Sequence, residues 1–140
     1  MQRIIYLSSG VKVFSDEEIN SLLDLSRKNN ANNGITGLLL YADGNFLQII
    51  EGEKDAIEMT YQKILNDSRH KNIILITNEP IKKRSFSDWK MGYSIVNPEF
   101  LIKHPEINPF QVKKTSNIDA IISTFIDTFL NSFRNKVLYN

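Results

Sequence analysis

Apolar residues recur along this chain in two rhythms, every second position in some stretches and every third or fourth in others. Residues 35–41 and 46–50 are almost continuous apolar runs, separated by Asp43-Gly44, a dipeptide suited to a tight turn with positive backbone dihedrals. They predict a β-hairpin. Alternation in its second strand puts Phe46, Gln48 and Ile50 on one face and Leu47 and Ile49 on the other, so neither face is patterned for solvent. Gln48 is therefore expected to be a buried amide. Leaving its donors and acceptors unpaired would cost about 1–3 kcal/mol, so a polar group must meet it inside the protein.

The chain opens with a short β-rich run at residues 3–8, RIIYLS, which carries Tyr6. Ser15-Asp16-Glu17-Glu18 follows, with the capping-box spacing and carboxylates in a first turn, so a helix should begin there. Ile19, Leu22 and Leu23 form its apolar stripe, which continues at helical spacing into Ser26 and Asn30. A hydroxyl and an amide on that face would need partners in the interior, unless the helix rises out of the core by its last turn. Asn32-Asn33-Gly34 should end it, glycine taking the left-handed cap conformation.

A second helix is expected over residues 53–65, with Ile57, Tyr61, Ile64 and Leu65 on one stripe and the polar cluster Asp67-Ser68-Arg69-His70 after it. Residues 72–77, NIILIT, read as a further strand ended by Pro80, and 91–96 as a last one after the basic and aromatic loop 82–90. The order β-α-β-β-α-β-β predicts an α+β, ferredoxin-like mixed sheet with one added strand and both helices on one face. In that topology the strand with Gln48 lies between the first two strands and beside Tyr6, which makes Tyr6 the leading partner for the amide. Residues 1–97 would form this unit and 98–140 an extension. The extension has three of the four prolines and then Ile118, Ile121, Ile122, Phe125, Phe129 and Phe133 at helical spacing, an amphipathic helix expected to cover the other sheet face.

Composition narrows the function classes. In 140 residues, 17 basic side chains stand against 16 acidic ones, a formal charge of +1 that gives no footprint for a nucleic-acid partner. Lys82-Lys83-Arg84 reads as a solvated loop. The absence of cysteine removes disulfides, thiolate metal sites, cysteine nucleophiles and cysteinyl-adduct photochemistry. With no apolar run of about 18 residues and no leader pattern, a cytoplasmic protein outside the membrane is expected. Asp67 and His70 are too few ligands for a metal site, and neither histidine, His70 or His104, is paired with a nucleophile. Tyr6, Gln48, Ser26 and Asn30 instead converge as hydrogen-bonding groups between the first helix and the sheet, suited to a planar polar ligand.

Five motifs together, RIIYLSS, SRKNNANNGITGLLLY, FLQIIEGE, DSRH and SDWKM, resemble those of BLUF domains, blue-light sensors that use flavin. The resemblance covers residues 2–96. It implies noncovalent FAD, with FMN left open, held between the two helices. Carried over residue by residue, it implies Gln48 at the flavin ring, Tyr6 as electron and proton donor, and Asn30 on the ring edge supported by Ser26. Asp67, Arg69 and His70 would flank the ring and its ribityl-phosphate tail, and Ile64 would wall it, a role compatible with plain core packing. Trp89 and Met91 match the two positions that exchange near the glutamine. In the family, light drives electron and proton transfer from tyrosine to flavin, and the glutamine rearranges its hydrogen bonds. About 44 further residues are too few for a cyclase or phosphodiesterase, so the resemblance implies no enzyme. It implies a sensor that signals through protein contacts with an unidentified downstream partner and forms homo-oligomers. A small ferredoxin-like flavin-dependent oxidoreductase is the alternative.

Overall fold

The computed structural model describes residues 1–42, 44–87, 90–95 and Thr124. Its elements are β1 (Gln2–Gly10), α1 (Asp16–Asn33), β2 (Thr36–Ala42), β3 (Asn45–Gly52), α2 (Lys54–Leu65), β4 (His70–Pro80) and β5 (Gly92–Ile95). The five strands form one sheet in the order β4-β1-β3-β2-β5. β1 is antiparallel to β3 and β4, β2 is antiparallel to β3, and β2 runs parallel to the added strand β5. This is the ferredoxin-like mixed sheet the element order predicts, with β3 inserted between β1 and β2.

Local chemistry sets the element ends. The Ser15 hydroxyl accepts from the Glu18 amide while the Glu18 carboxylate accepts from the Ser15 amide, so the first turn of α1 is closed from both sides. Gly34, at φ 64°, caps its other end in the left-handed region that side chains disfavour. Gly37 answers a different demand. A Cβ there would stand 1.9 Å from the Ile49 carbonyl oxygen, so only glycine lets β2 approach β3 this closely.

Register brings side chains into rows across the sheet. Tyr6 lies opposite Gln48, Gln48 opposite Leu39, and Leu39 opposite Tyr93. This row, with Ile4 and Ile50 on one side of it and Phe46 and Tyr41 on the other, belongs to the same core as Ile19 and Leu23 of α1 and Ile57 of α2. Leu38, Leu40, Leu47 and Ile49, on the opposite face, are also fully buried. The helix expected over 118–133 as their cover lies outside the described residues, apart from the exposed Thr124.

One stripe assignment is corrected. Leu65, expected inward with Ile64, is 43% exposed, since it is the last residue of α2, where the helix leaves the sheet's cover. Strand β4 also starts earlier than its apolar run, at His70, whose backbone pairs with Gly10.

Candidate functional site

The cleft between α1, α2 and the sheet takes its floor from β1 and β3 and its walls from the two helices. Its cavity volume is about 150 Å³, and it is open to solvent at its mouth. Tyr6, Ser26, Asn30, Gln48, Ile64, Asp67, Arg69 and His70, the eight expected binding residues, all line it. Met91 meets it through Gln48. Trp89 lies outside the described residues.

At the floor, the buried Tyr6 hydroxyl donates to Gln48 Oε1, and Gln48 Nε2 points at Met91 Sδ, 3.6 Å away. Burial pushes the Tyr6 phenol far above its ordinary pKa, and negative charge on Asp67 and Tyr61 would act in the same direction. The phenol therefore keeps its proton and acts as the donor. A thioether has no hydrogen to give, so the amide places its nitrogen toward Met91 and its oxygen toward Tyr6, the arrangement in which each atom finds a complementary neighbour. Tyr61 and His70 stand beside the Tyr6 ring, with centroids 6.0 and 6.1 Å away.

The far wall is tied together by His70. Its Nε2 is 2.7 Å from the Ile64 carbonyl oxygen at the end of α2, and its Nδ1 is 2.9 Å from Ser8 Oγ on β1. A carbonyl only accepts, so Nε2 carries hydrogen. Next to it Asp67 accepts from the Arg69 amide and guanidinium, at 2.9 Å from the backbone nitrogen and 2.5 Å from Nη2. The Arg69 side-chain hydrogen bonds hold the Asp67 carboxyl below its ordinary range. Arg69 is nearly half exposed and keeps a cation at the mouth of the cleft.

On the α1 side, Asn30 is buried, and its Nδ2 donates to the Lys90 carbonyl at 2.8 Å. Arg27 donates from Nε and Nη2 to the Met91 carbonyl at 3.2 and 3.0 Å. The cleft also has lining residues that the sequence analysis does not name. Asn29 and Asn33 extend the face of Leu22, Ser26 and Asn30 at helical spacing, and Thr60 sits four residues before Ile64, so the period contained them. The bond from Arg27 ends on a backbone carbonyl, which side-chain patterning does not reveal.

The set suits a planar aromatic ligand that carries polar edges and a phosphate tail. Leu39, Phe46, Ile50 and Ile64 provide apolar surface, two buried carboxamides provide donors and acceptors, and Arg69 lies at the exit. Among the described residues no group of three or more His, Cys, Asp or Glu could hold a metal ion, and no helix is long and apolar enough to cross a membrane.

Residues 1–92 match the family model BLUF, described as sensors of blue-light using FAD. The photoactivated adenylate cyclase subunit beta of Euglena longa is 33% identical over 136 residues, which cover 94% of this chain and 16% of that protein. Among solved structures, the photo-activated state of BlsA superposes with a TM-score of 0.78 at 29% identity, covering 92% of this chain and 94% of that one. The dark state of the BLUF protein BlrB gives 0.76 at 28% identity, covering 91% and 95%.

Proposed function

This chain belongs to the BLUF family of blue-light sensors that use FAD, and we propose that its sensing step is a reorientation of Gln48 triggered at Tyr6, read out through Met91. The observation that carries this reading is the buried chain Tyr6 Oη to Gln48 Oε1, Gln48 Nε2 to Met91 Sδ, on the floor of the cleft. Asn30, Ser26 and Gln48 would hold the ring of FAD, Ile64 its face, and Asp67, Arg69 and His70 the side that leads to its phosphates. FAD supplies the blue-light absorption and, once excited, the demand for an electron.

With FAD bound, Tyr6 would be the donor that gives an electron and its phenolic proton to the excited flavin and takes both back. While they are away, Oε1 of Gln48 has lost its donor, and the amide is free to turn. A buried carboxamide can take two arrangements in such a site, so a brief change in its neighbour can move it from one to the other. The turned amide presents Nε2 to Tyr6 and Oε1 to Met91, and so changes what the residues just before β5 encounter.

The output we propose is contact with another protein, in a dimer or larger homo-oligomer, not catalysis. Residues 1–97 would be the light-sensing unit, and the Phe-rich helix expected within 98–140 would pack on the sheet and pass the change on. The superpositions on BlsA and BlrB support the light-sensing unit. A cytoplasmic location fits such a partner.

Tyr6→Phe tests the sensing step. The variant should stay yellow and lose the light-induced red shift of the absorption band, because the ring keeps its packing and only the hydroxyl is gone. A variant that still shifts would refute the role given to Tyr6. Gln48→Ala should likewise abolish the normal shift.

A further inference from the structure

Met91 has no exposed surface, and its sulfur faces Gln48, yet the segment that carries it is held from α1 by its backbone. Two donors of Arg27 close on the Met91 carbonyl, and Asn30 donates to the carbonyl just before it. The other end of the same connector is fixed to β3, where the Ser85 amide donates to Glu51 Oε1 at 2.9 Å. The bonds from Arg27 and Asn30 thus hold the backbone at Lys90 and Met91 against α1.

We infer that Arg27 is a positioning residue, a latch on the Met91 carbonyl that opposes the turned arrangement of Gln48 and so hastens the return to the dark state. The inference rests on the reading of Tyr6, Gln48 and Met91 given above. The physical step is short. When the amide turns, Oε1 faces Sδ, and neither atom has a hydrogen to offer the other. The repulsion would be relieved if Met91 drew back. Drawing back means stretching bonds from a guanidinium to a carbonyl, which are charge-assisted and stronger than neutral ones. The latch therefore leaves the strain in the turned state and shortens its life. Arg27 need not touch the flavin for this. Its place on α1, three residues before the cleft-lining Asn30, ties the helix wall to the segment leading into β5.

The test compares dark recovery after blue light in the flavin-loaded wild type, Arg27→Gln and Arg27→Lys, each also in a Met91→Ala background. Arg27→Gln should keep the dark spectrum and the size of the red shift, and recover about threefold to tenfold more slowly, the range expected for losing part of a charged hydrogen bond. Arg27→Lys, which keeps the charge and one donor, should fall between. In the Met91→Ala background, Arg27→Gln should leave recovery unchanged, because no sulfur remains to be displaced. In the dark-adapted protein, hydrogen exchange over residues 90–95 should rise in Arg27→Gln. Recovery at the wild-type rate in Arg27→Gln, or equal slowing with and without Met91, would overturn the latch while leaving the Tyr6 and Gln48 reading intact. A red shift that survives in Tyr6→Phe would remove both.

Discussion

Glu51 offers a prediction in which two physical effects carry opposite signs. Its side chain is completely buried on the sheet face away from the cleft. Oε2 accepts from Arg3 Nε at 2.9 Å and Nη2 at 2.7 Å, and Oε1 accepts from the Ser85 and Phe86 amides, both at 2.9 Å. If removal from water governed the site, the neutral isostere in Glu51→Gln would stabilise the fold, since buried ionic pairs are often no better than neutral replacements. Here both oxygens are met by donors. An NH2 group at either position points hydrogens at other hydrogens, and strands either the guanidinium or two backbone amides. Each stranded buried donor costs about 1–3 kcal/mol, so the loss should be about 2–4 kcal/mol. With a urea slope of about 1–2 kcal/mol/M, the midpoint should fall by roughly 2 M at unchanged slope. Urea unfolding of the flavin-loaded protein, followed by circular dichroism, measures it. The dark flavin spectrum should not change, because Gln48 faces the other way. A midpoint equal to or above that of the wild type would show that desolvation, not donor satisfaction, decides this site.

Three further outcomes follow from the same geometry. Gly37→Ala should cost about 3 kcal/mol or more, since its methyl would overlap a backbone oxygen that cannot yield without parting β2 from β3; a thermal melt within about 2 °C of wild type would contradict it. Tyr41 and Tyr93 bury hydroxyls that have no hydrogen-bond partner among the described residues, and burial pushes the Tyr93 phenol up to about 12, so Tyr93→Phe should be neutral or stabilising by up to about 1 kcal/mol in urea unfolding, unlike an ordinary polar loss. Asp67 has a lowered pKa in the folded state, so its pairing with Arg69 adds stability above the unfolded carboxyl value of about 3.9 and loses it as pH falls through the lower folded value. The stability gap between wild type and Asp67→Asn should therefore be constant at pH 5–7 and close below about pH 4, and a gap that widens on acidification would reverse the sign assigned to the pair.

Much of the fold was legible because its signals are local. The Ser15 and Glu18 pair, Gly34 after the asparagines, and the turn between two apolar runs each act within a few residues, and each ends an element where the structure ends it. The neighbourhood of Tyr6 and Gln48 was also within reach. Once β3 lies between β1 and β2, alternation leaves few residues that can stand opposite the amide, and register selects Tyr6.

Tertiary structure alone decided the rest. Glu51 reads as an ordinary polar residue at a strand end, and its burial depends on backbone amides 34 and 35 residues away. Nothing in the spacing of α1 singles out Arg27, and its target is a carbonyl 64 residues further on. Hydropathy and spacing describe what a side chain prefers, and they hold no information about a main-chain atom that only folding brings within about 3 Å, the ordinary hydrogen-bond distance. Sequence by itself settled which elements form and which faces they turn inward; the closing of α1 onto the segment before β5 settled how Met91 is held against Gln48.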